Sequence, residues 1–518
     1  KEFVLAPAIQ LNLGNSAAEQ KKYSYAINKY LNAKNLYEQA GDYERMIRYG
    51  LHNLGDTYER SNDLNNAYSY FTEAYKRINV TFPIVKNNEF AYTINCLAKL
   101  YVRKKRYEDA LTYFKKALAR FPDFESFEAK NINRIPYKST LQLILSDYAF
   151  ALIKIGKEIH QPNCYVEALK VFRYADQLID FMRYEHAGEG SKLFWRQKTR
   201  GMYERAIEAS YLAGNTEAAF RFFEKSKAVL LADKLNELGA NQQLPEADAK
   251  HQRTLRDSIA NLQNQLASLK KKKKKRQALQ TRLERFNDDF ETFRKNLEKT
   301  NPAYYHYKYD NSTPGIADFQ KSLSGEGFIS YFVGDSAVYA FTLTAQQSRL
   351  VKLKITPQVY QSTANEFLTL CANRAVLNAQ YPRYQALAYA LYEQLWKPLN
   401  ITSKRVIISS DGVFLPFEAL VSTPSGNEFL LKRHAISYTY SANFLVKGRD
   451  SYLASFGWGN NITSRSFVGF APEAFVPSLK QAPLNGSSIA LEEISQGFWF
   501  KKNLTQVEAT KANFLRYA

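Results

Sequence analysis

The sequence predicts a mainly α protein in three parts: stacked helix pairs over residues 10–240, a helical hairpin over 250–300, and an α/β domain over 313–518. Small and aromatic residues recur in phase through the first part. Apolar residues alternate steps of four and three between Leu255 and Leu297. After Asn301-Pro302, short β-rich runs alternate with helical stretches. A length of 518 residues suits about three domains at roughly 100–200 residues each.

Composition narrows the class. With 36 Tyr and 34 Phe the chain has ample material for collapse, which excludes disorder over most of its length. No uninterrupted apolar run reaches the ~18 residues of a membrane span. Cys96, Cys164 and Cys371 are too few and too far apart for a disulfide framework, so a reducing, cytoplasmic setting is expected. The start, KEFVLAPAIQ, holds neither an initiator Met nor a basic-then-apolar leader, and Lys1 reads as a boundary.

In the first part, residues 91–124 place Leu97, Ala98, Tyr101, Ala110, Phe114, Ala117 and Pro122 at the spacings of a tetratricopeptide repeat. Residues 48–81 repeat the pattern with Leu54, Gly55, Tyr58, Ala67, Phe71 and Ala74. Further second helices read as Ala26-Tyr30-Ala33, Ala168-Phe172-Ala175 and Ala219-Phe223-Ser226. Small residues let paired helices approach, and the rings fill the space between neighbours. About five pairs therefore form an α-α superhelix of tetratricopeptide repeats through residues 10–235, with linkers inserted at 82–90 and 156–164. Its concave face is lined by the first helix of each pair. The candidate peptide-binding residues there are Tyr49, His52, Asp56, Glu59, Arg60, Tyr92, Asn95, Lys99 and Arg103. The groove has three candidate uses: an external peptide, another part of the same chain, or none beyond spacing.

The net charge of +21 is uneven: residues 250–300 carry 15 Lys/Arg against 6 Asp/Glu, a surplus of +9. Apolar residues fall at Leu255, Ile259, Leu262, Leu266 and Leu269, then at Leu279, Leu283, Phe286, Phe290, Phe293 and Leu297. The two series are out of phase across Lys270–Lys275, which predicts an antiparallel coiled-coil helical hairpin with the lysines at its tip. The run is expected to be a solvated tip, with docking of an acidic partner as the second use. Nucleic acid is a weaker third, because no aromatic interleaves the lysines to stack bases.

In the third part, Phe328–Val333 and Val338–Thr344 read as strands joined by a tight turn at Gly334-Asp335. A helical stretch follows over 358–396, then a short buried strand at Arg405–Ser409 and a turn at Asp411-Gly412. Leu415–Leu420 opens a new element, Ala435–Tyr440 and Tyr452–Phe456 are further strands, and 487–497 and 508–517 are helical.

Three stretches here resemble the CHAT family, the caspase- and separase-like peptidase domain that commonly follows tetratricopeptide repeats. They are residues 316–320 (IADFQ) with 327–344, residues 407–420 (IISSDGVFLPFEAL), and residues 429–441 (FLLKRHAISYTYS). The second departs from the family pattern in having Ser410 where a proline is usual. Residues 223–235 (FEKSKAVLLADKL) resemble the family's typical last repeat helix. The resemblance covers roughly residues 20–518 and implies a partial α/β caspase-like domain after the repeats. It also implies a Cys-His endopeptidase regulated through the array, with the His-Gly and Cys expected beyond the helix that starts at Glu508-Ala-Thr510.

No catalytic residue is assigned within the chain, and no cofactor or metal ligand set is read. Cys96 reads as packing within a repeat helix, Cys164 as part of an inter-helix loop, Cys371 as helical and His434 as structural. No nucleophile elbow, phosphate loop or metal motif occurs, and the carboxylate pairs Asp288-Asp289 and Glu492-Glu493 have helix-surface spacing. The chain as it stands is expected to be inactive as a peptidase. The alternative function is a non-enzymatic scaffold or subunit that uses the repeats for protein–protein interaction.

Overall fold

The computed structural model describes residues 2–82, 88–121, 124, 126–127, 135, 137–185, 189–227, 244–268, 273–301, 313, 315–323, 325–424, 428–446, 466–475, 484, 486–496 and 500–517. The chain divides into two compact units, Lys1–Val446 and Lys447–Ala518.

The first unit opens with helix pairs. These are α1 (Glu2–Glu19) with α2 (Tyr23–Gln39), and α3 with α4 (Leu64–Thr81). The next are α5 (Asn88–Arg103) with α6 (Tyr107–Leu118), α7 (Lys138–Glu158) with α8 (Asn163–Glu185), and α9 (Glu189–Leu212) with α10 (Thr216–Ser226). Helix α3 spans 43–60 and consists of Tyr43–Arg45, a π-helical turn Met46–Leu51, and His52–Arg60.

One turn closes every pair. Lys21, Asn62, Lys105, His160 and Gly214 take φ of 60°, 65°, 59°, 54° and 64°. The next amide then bonds back to a carbonyl of the first helix, as Asp63 N does to Tyr58 O at 2.8 Å and Asn215 N to Ser210 O at 2.9 Å. This left-handed C-terminal cap satisfies carbonyls that a helix end leaves unpaired. Asp63 and Asn215 then cap the second helices by accepting from Asn66 N and Ala218 N.

The small–aromatic–small residues read in the second helices are buried in all five, with the rings of Tyr30, Phe71, Phe114, Phe172 and Phe223 enclosed. Each such ring contributes roughly 2 kcal/mol by leaving water.

The stretch 156–164 is not an inserted linker. Helix α7 runs to Glu158 and α8 starts at Asn163, so Cys164 lies in the first turn of a helix rather than in a loop. Gly156 lies within the helix, and a Cβ there would fall 2.7 Å from the Tyr165 ring. A glycine there marks close helix packing, not a break.

Helices α11 (Glu246–Ser268) and α12 (Lys273–Thr300) pack on each other. His251, near the start of one, meets Phe293, near the end of the other, with ring centroids 4.7 Å apart, so the pair is antiparallel. Leu255, Leu262 and Leu297 are buried in the seam. Lys270–Lys272 lie outside the described residues, and α12 begins at Lys273.

After α13 (Ile316–Ser322) comes a sheet of β1 (Gly327–Val333), β2 (Val338–Leu343), β3 (Ser348–Lys352), β4 (Arg405–Ser409) and β5 (Ala435–Thr439). The order is β3-β2-β1-β4-β5. Strands β1 to β3 are antiparallel neighbours, whereas β4 runs parallel to both β1 and β5. Both faces are covered, as a parallel core requires. Phe328, Phe332, Tyr339, Phe341 and Ile407 share one apolar core with the repeats. Ile329, Tyr331, Val338, Ala340, Val406 and Ile408 share another with α14 (Pro357–Cys371) and α16 (Tyr381–Leu391).

Three details differ from the sequence reading. The 358–396 stretch is three helices, with α15 (Arg374–Ala379) between α14 and α16. Strand β3 went unread because Arg349 and Lys352 give an edge strand a polar texture. The β1–β2 turn has Asp335-Ser336 at its tip, since Gly334 N bonds to Ala337 O at 2.9 Å.

In the second unit, β6 (Ser466–Ala471) and β7 (Phe500–Thr505) pair in parallel. Helix α17 (Ser487–Ser495) lies between them in sequence and packs on both, and α18 (Lys511–Tyr517) follows. Neither strand was read from the sequence: Lys501-Lys502 breaks the apolar alternation of β7. The strand expected at Tyr452–Phe456 lies outside the described residues.

Candidate functional site

The expected groove residues fall on α3 and α5, and the structure joins them into a ladder across neighbouring first helices. Arg103 donates to Glu59 at 3.3 Å and to Asn62 at 2.9 Å. Arg60 pairs with Asp56 at 3.9 Å and Glu19 at 3.7 Å, and donates to Ala18 O at 3.1 Å. Lys99 lies 3.8 Å from Asp147 of α7, and Asn95 donates to the same carboxylate at 2.8 Å. Asn95 is fully buried, so it serves this contact beneath the surface. Tyr49 lies under the Arg48 guanidinium at 4.9 Å.

His52 sits between the Tyr92 and Phe71 rings, at 5.0 and 5.9 Å, with Nδ1 3.3 Å from Thr93 Oγ1. Burial pulls its imidazole down to about 4; Lys99 acts in the same direction and Asp56 against it. It is therefore neutral at pH 7. The partly exposed cations Arg60, Lys99 and Arg103 each lie beside a carboxylate, of Asp56, Asp147 and Glu59 respectively.

A second polar cluster, unread in the sequence, joins the last helix pair to the sheet. Arg200 of α9 donates to Val333 O at 2.5 Å and to Asp411 at 2.7 Å, with its guanidinium 5.1 Å over the Phe332 ring. Asp411 also accepts Val333 N at 2.8 Å. Its neighbour Gly412 takes the expected left-handed φ of 75°, but Asp411 does more than shape that turn.

One helical turn on from Arg200, the Glu204 carboxylate accepts from Asp335 N, Ser336 N, Ser336 Oγ and Ala337 N at 2.8, 2.8, 2.6 and 3.1 Å. Gly334 is required for this approach: a Cβ there would lie 2.3 Å from the Glu204 carboxyl carbon.

Just past α10, the buried Lys227 ammonium donates to Ser330 Oγ at 2.9 Å and to Ser409 O and Oγ at 2.8 Å each. All three of its protons are engaged. Burial pulls it down to about 8, against the carboxylates of Asp411 and Glu224. Glu224, buried beside it, is raised by desolvation and accepts Asn443 N at 2.8 Å. The cluster holds the ends of β1, β4 and β5 in place by hydrogen bonding.

Elsewhere, Cys96 is buried with its thiol pushed up by desolvation, and burial also raises the thiols of Cys164 and Cys371. His434 bonds through Nδ1 to Ser403 O at 2.8 Å, which ties the start of β5 to the loop before β4. Among the described residues no group of three His, Cys, Asp or Glu is placed to hold a metal, and no helix is long and apolar enough to cross a membrane.

Residues 91–124, which hold most of α5 and all of α6, match a tetratricopeptide repeat family. Residues 50–79, from α3 into α4, match a second family of the same description. The chain carries tetratricopeptide repeats. No curated protein matches it. Such repeats imply protein–protein interaction, and the array accordingly points to protein partners.

Proposed function

We propose that this chain is the sensor and leading part of a CHAT-type protein. In this reading a protein or peptide docks on the repeat array and thereby governs a Cys-His endopeptidase whose catalytic pair follows in the longer protein. The observation that carries it is the reach of Arg200 and Lys227 from the last repeat to the ends of β1 and β4. In open α/β sheets, ligand chemistry gathers outside the carboxyl ends of the strands. Contacts made there by the array give a docked partner a mechanical route to that edge.

Two experiments test the reading. The reading frame beyond Ala518 is determined: a His-Gly followed by a Cys supports the peptidase, and an immediate stop codon overturns it. Partner capture is then compared between the native protein and an Arg60→Glu, Arg103→Glu variant whose helical signal is intact. Equal capture overturns the assignment of the groove.

The second reading is a non-enzymatic scaffold. The apolar core shared by the later repeats and one face of the sheet favours it, because a shared core makes a rigid platform.

A further inference from the structure

The last helix pair carries polar bolts on two sides. Toward the preceding repeat, Asp176 of α8 accepts from Tyr203 of α9 at 2.8 Å and from Arg221 of α10 at 3.1 Å, while Asp180 accepts from Lys225 at 2.6 Å. Toward the sheet, Arg200, Glu204, Glu224 and Lys227 make the contacts given above. Asp176 and Glu204 are both buried, at 0% and 7% exposure. Charged groups held this way resist sliding, because any shift leaves a desolvated charge without its partner. An apolar interface of the same area would tolerate small slips.

We propose that α9–α10 is a transmission block that turns movement of the array into displacement of the β1–β2 turn and the ends of β1, β4 and β5. The proposal gives a regulatory route for the function proposed above and rests on that reading for its purpose, but not for its test. One row of bolts fixes the block to the array, the other fixes it to the sheet, and the pair moves as one piece between them. Glu204 is the most direct reporter, since three backbone amides of the turn have its carboxylate as their acceptor.

Hydrogen–deuterium exchange on the full chain tests this without any partner. Glu204→Gln is expected to speed exchange at Asp335, Ser336 and Ala337 on the order of tenfold, as a charge-assisted acceptor is lost. Asp176→Asn touches none of these amides, yet it is expected to speed the same three several-fold. In the Glu204→Gln background it should add nothing. Lys225→Met, which releases α10 from Asp180, should act like Asp176→Asn and decides the matter if that variant fails to fold. Faster exchange in α8–α10 with residues 335–337 unchanged within about twofold overturns the proposal. Failure to find a partner leaves this measurement untouched, so the two readings fail separately.

Discussion

Arg200 and Asp411 meet at 2.7 Å although 211 positions separate them in the chain. The same carboxylate accepts the amide of Val333, so one buried group joins a repeat helix, the end of β1 and the turn after β4. An α/β sheet and a repeat array need no such contact to fold separately. Its presence makes the two parts mechanically one at the strand ends.

Removing either partner should therefore cost more than a surface pair. Arg200→Ala is expected to lower the unfolding free energy by about 2–3 kcal/mol, less than a fully buried pair because part of the guanidinium is solvated. Asp411→Ala should cost at least as much, and the double variant less than the sum. A urea-unfolding cycle measures this, and strict additivity would contradict the coupling.

Gly334→Ala should destabilise by about 1–3 kcal/mol through collision with Glu204. Adding Glu204→Ala removes the obstacle, so the double variant should be no less stable than Glu204→Ala alone. The denaturation midpoints of the three proteins provide the check.

Lys227 gives a signed pH dependence. Its folded value of about 8 lies below the ordinary 10.5. Between those values the unfolded chain holds a proton that the folded chain has released. Stability should therefore rise with pH across that window, by up to about 1.4 kcal/mol per pH unit. Lys227→Met should abolish the rise; an unchanged slope between native and variant would show that another group is responsible.

His52 acts in the acid range. It is pulled from 6.5 to about 4 in the fold, so between those values only the unfolded chain takes up its proton. The array should lose stability as pH falls through that window. Thermal unfolding of His52→Gln followed from pH 7 to 4 should show a shallower loss than the native protein.

Cys96 is 2% exposed, and its thiol is raised by burial. Iodoacetamide should modify Cys164 and Cys371 in the native protein and reach Cys96 only after unfolding. Peptide mass mapping before and after urea distinguishes the sites, and rapid native labelling of Cys96 would argue that the third helix pair, α5–α6, opens.

Much of the array was legible because its packing is local. Ala110, Phe114 and Ala117 recur at intervals set by the helical period, and the same residues sit buried in the structure. The turns were less legible: Asn62, His160 and Gly214 are residue types that favour a left-handed φ, while Lys21 and Lys105 adopt it for the hydrogen bonds of the helix cap. The β1 and β2 strands were readable from apolar runs, and β3 was not, because an edge strand needs few apolar residues.

Residue types and periodicity along the chain thus determined the helix pairs, the helical hairpin and the central strands, since each reflects a local pattern of burial. Only the tertiary structure decided what Arg200, Glu204, Lys227 and Asp411 do. Each is polar and unremarkable in its own segment, and each acquires its role from a partner more than a hundred residues away. A charge declares its function only when the fold removes it from water and supplies the group that must answer it.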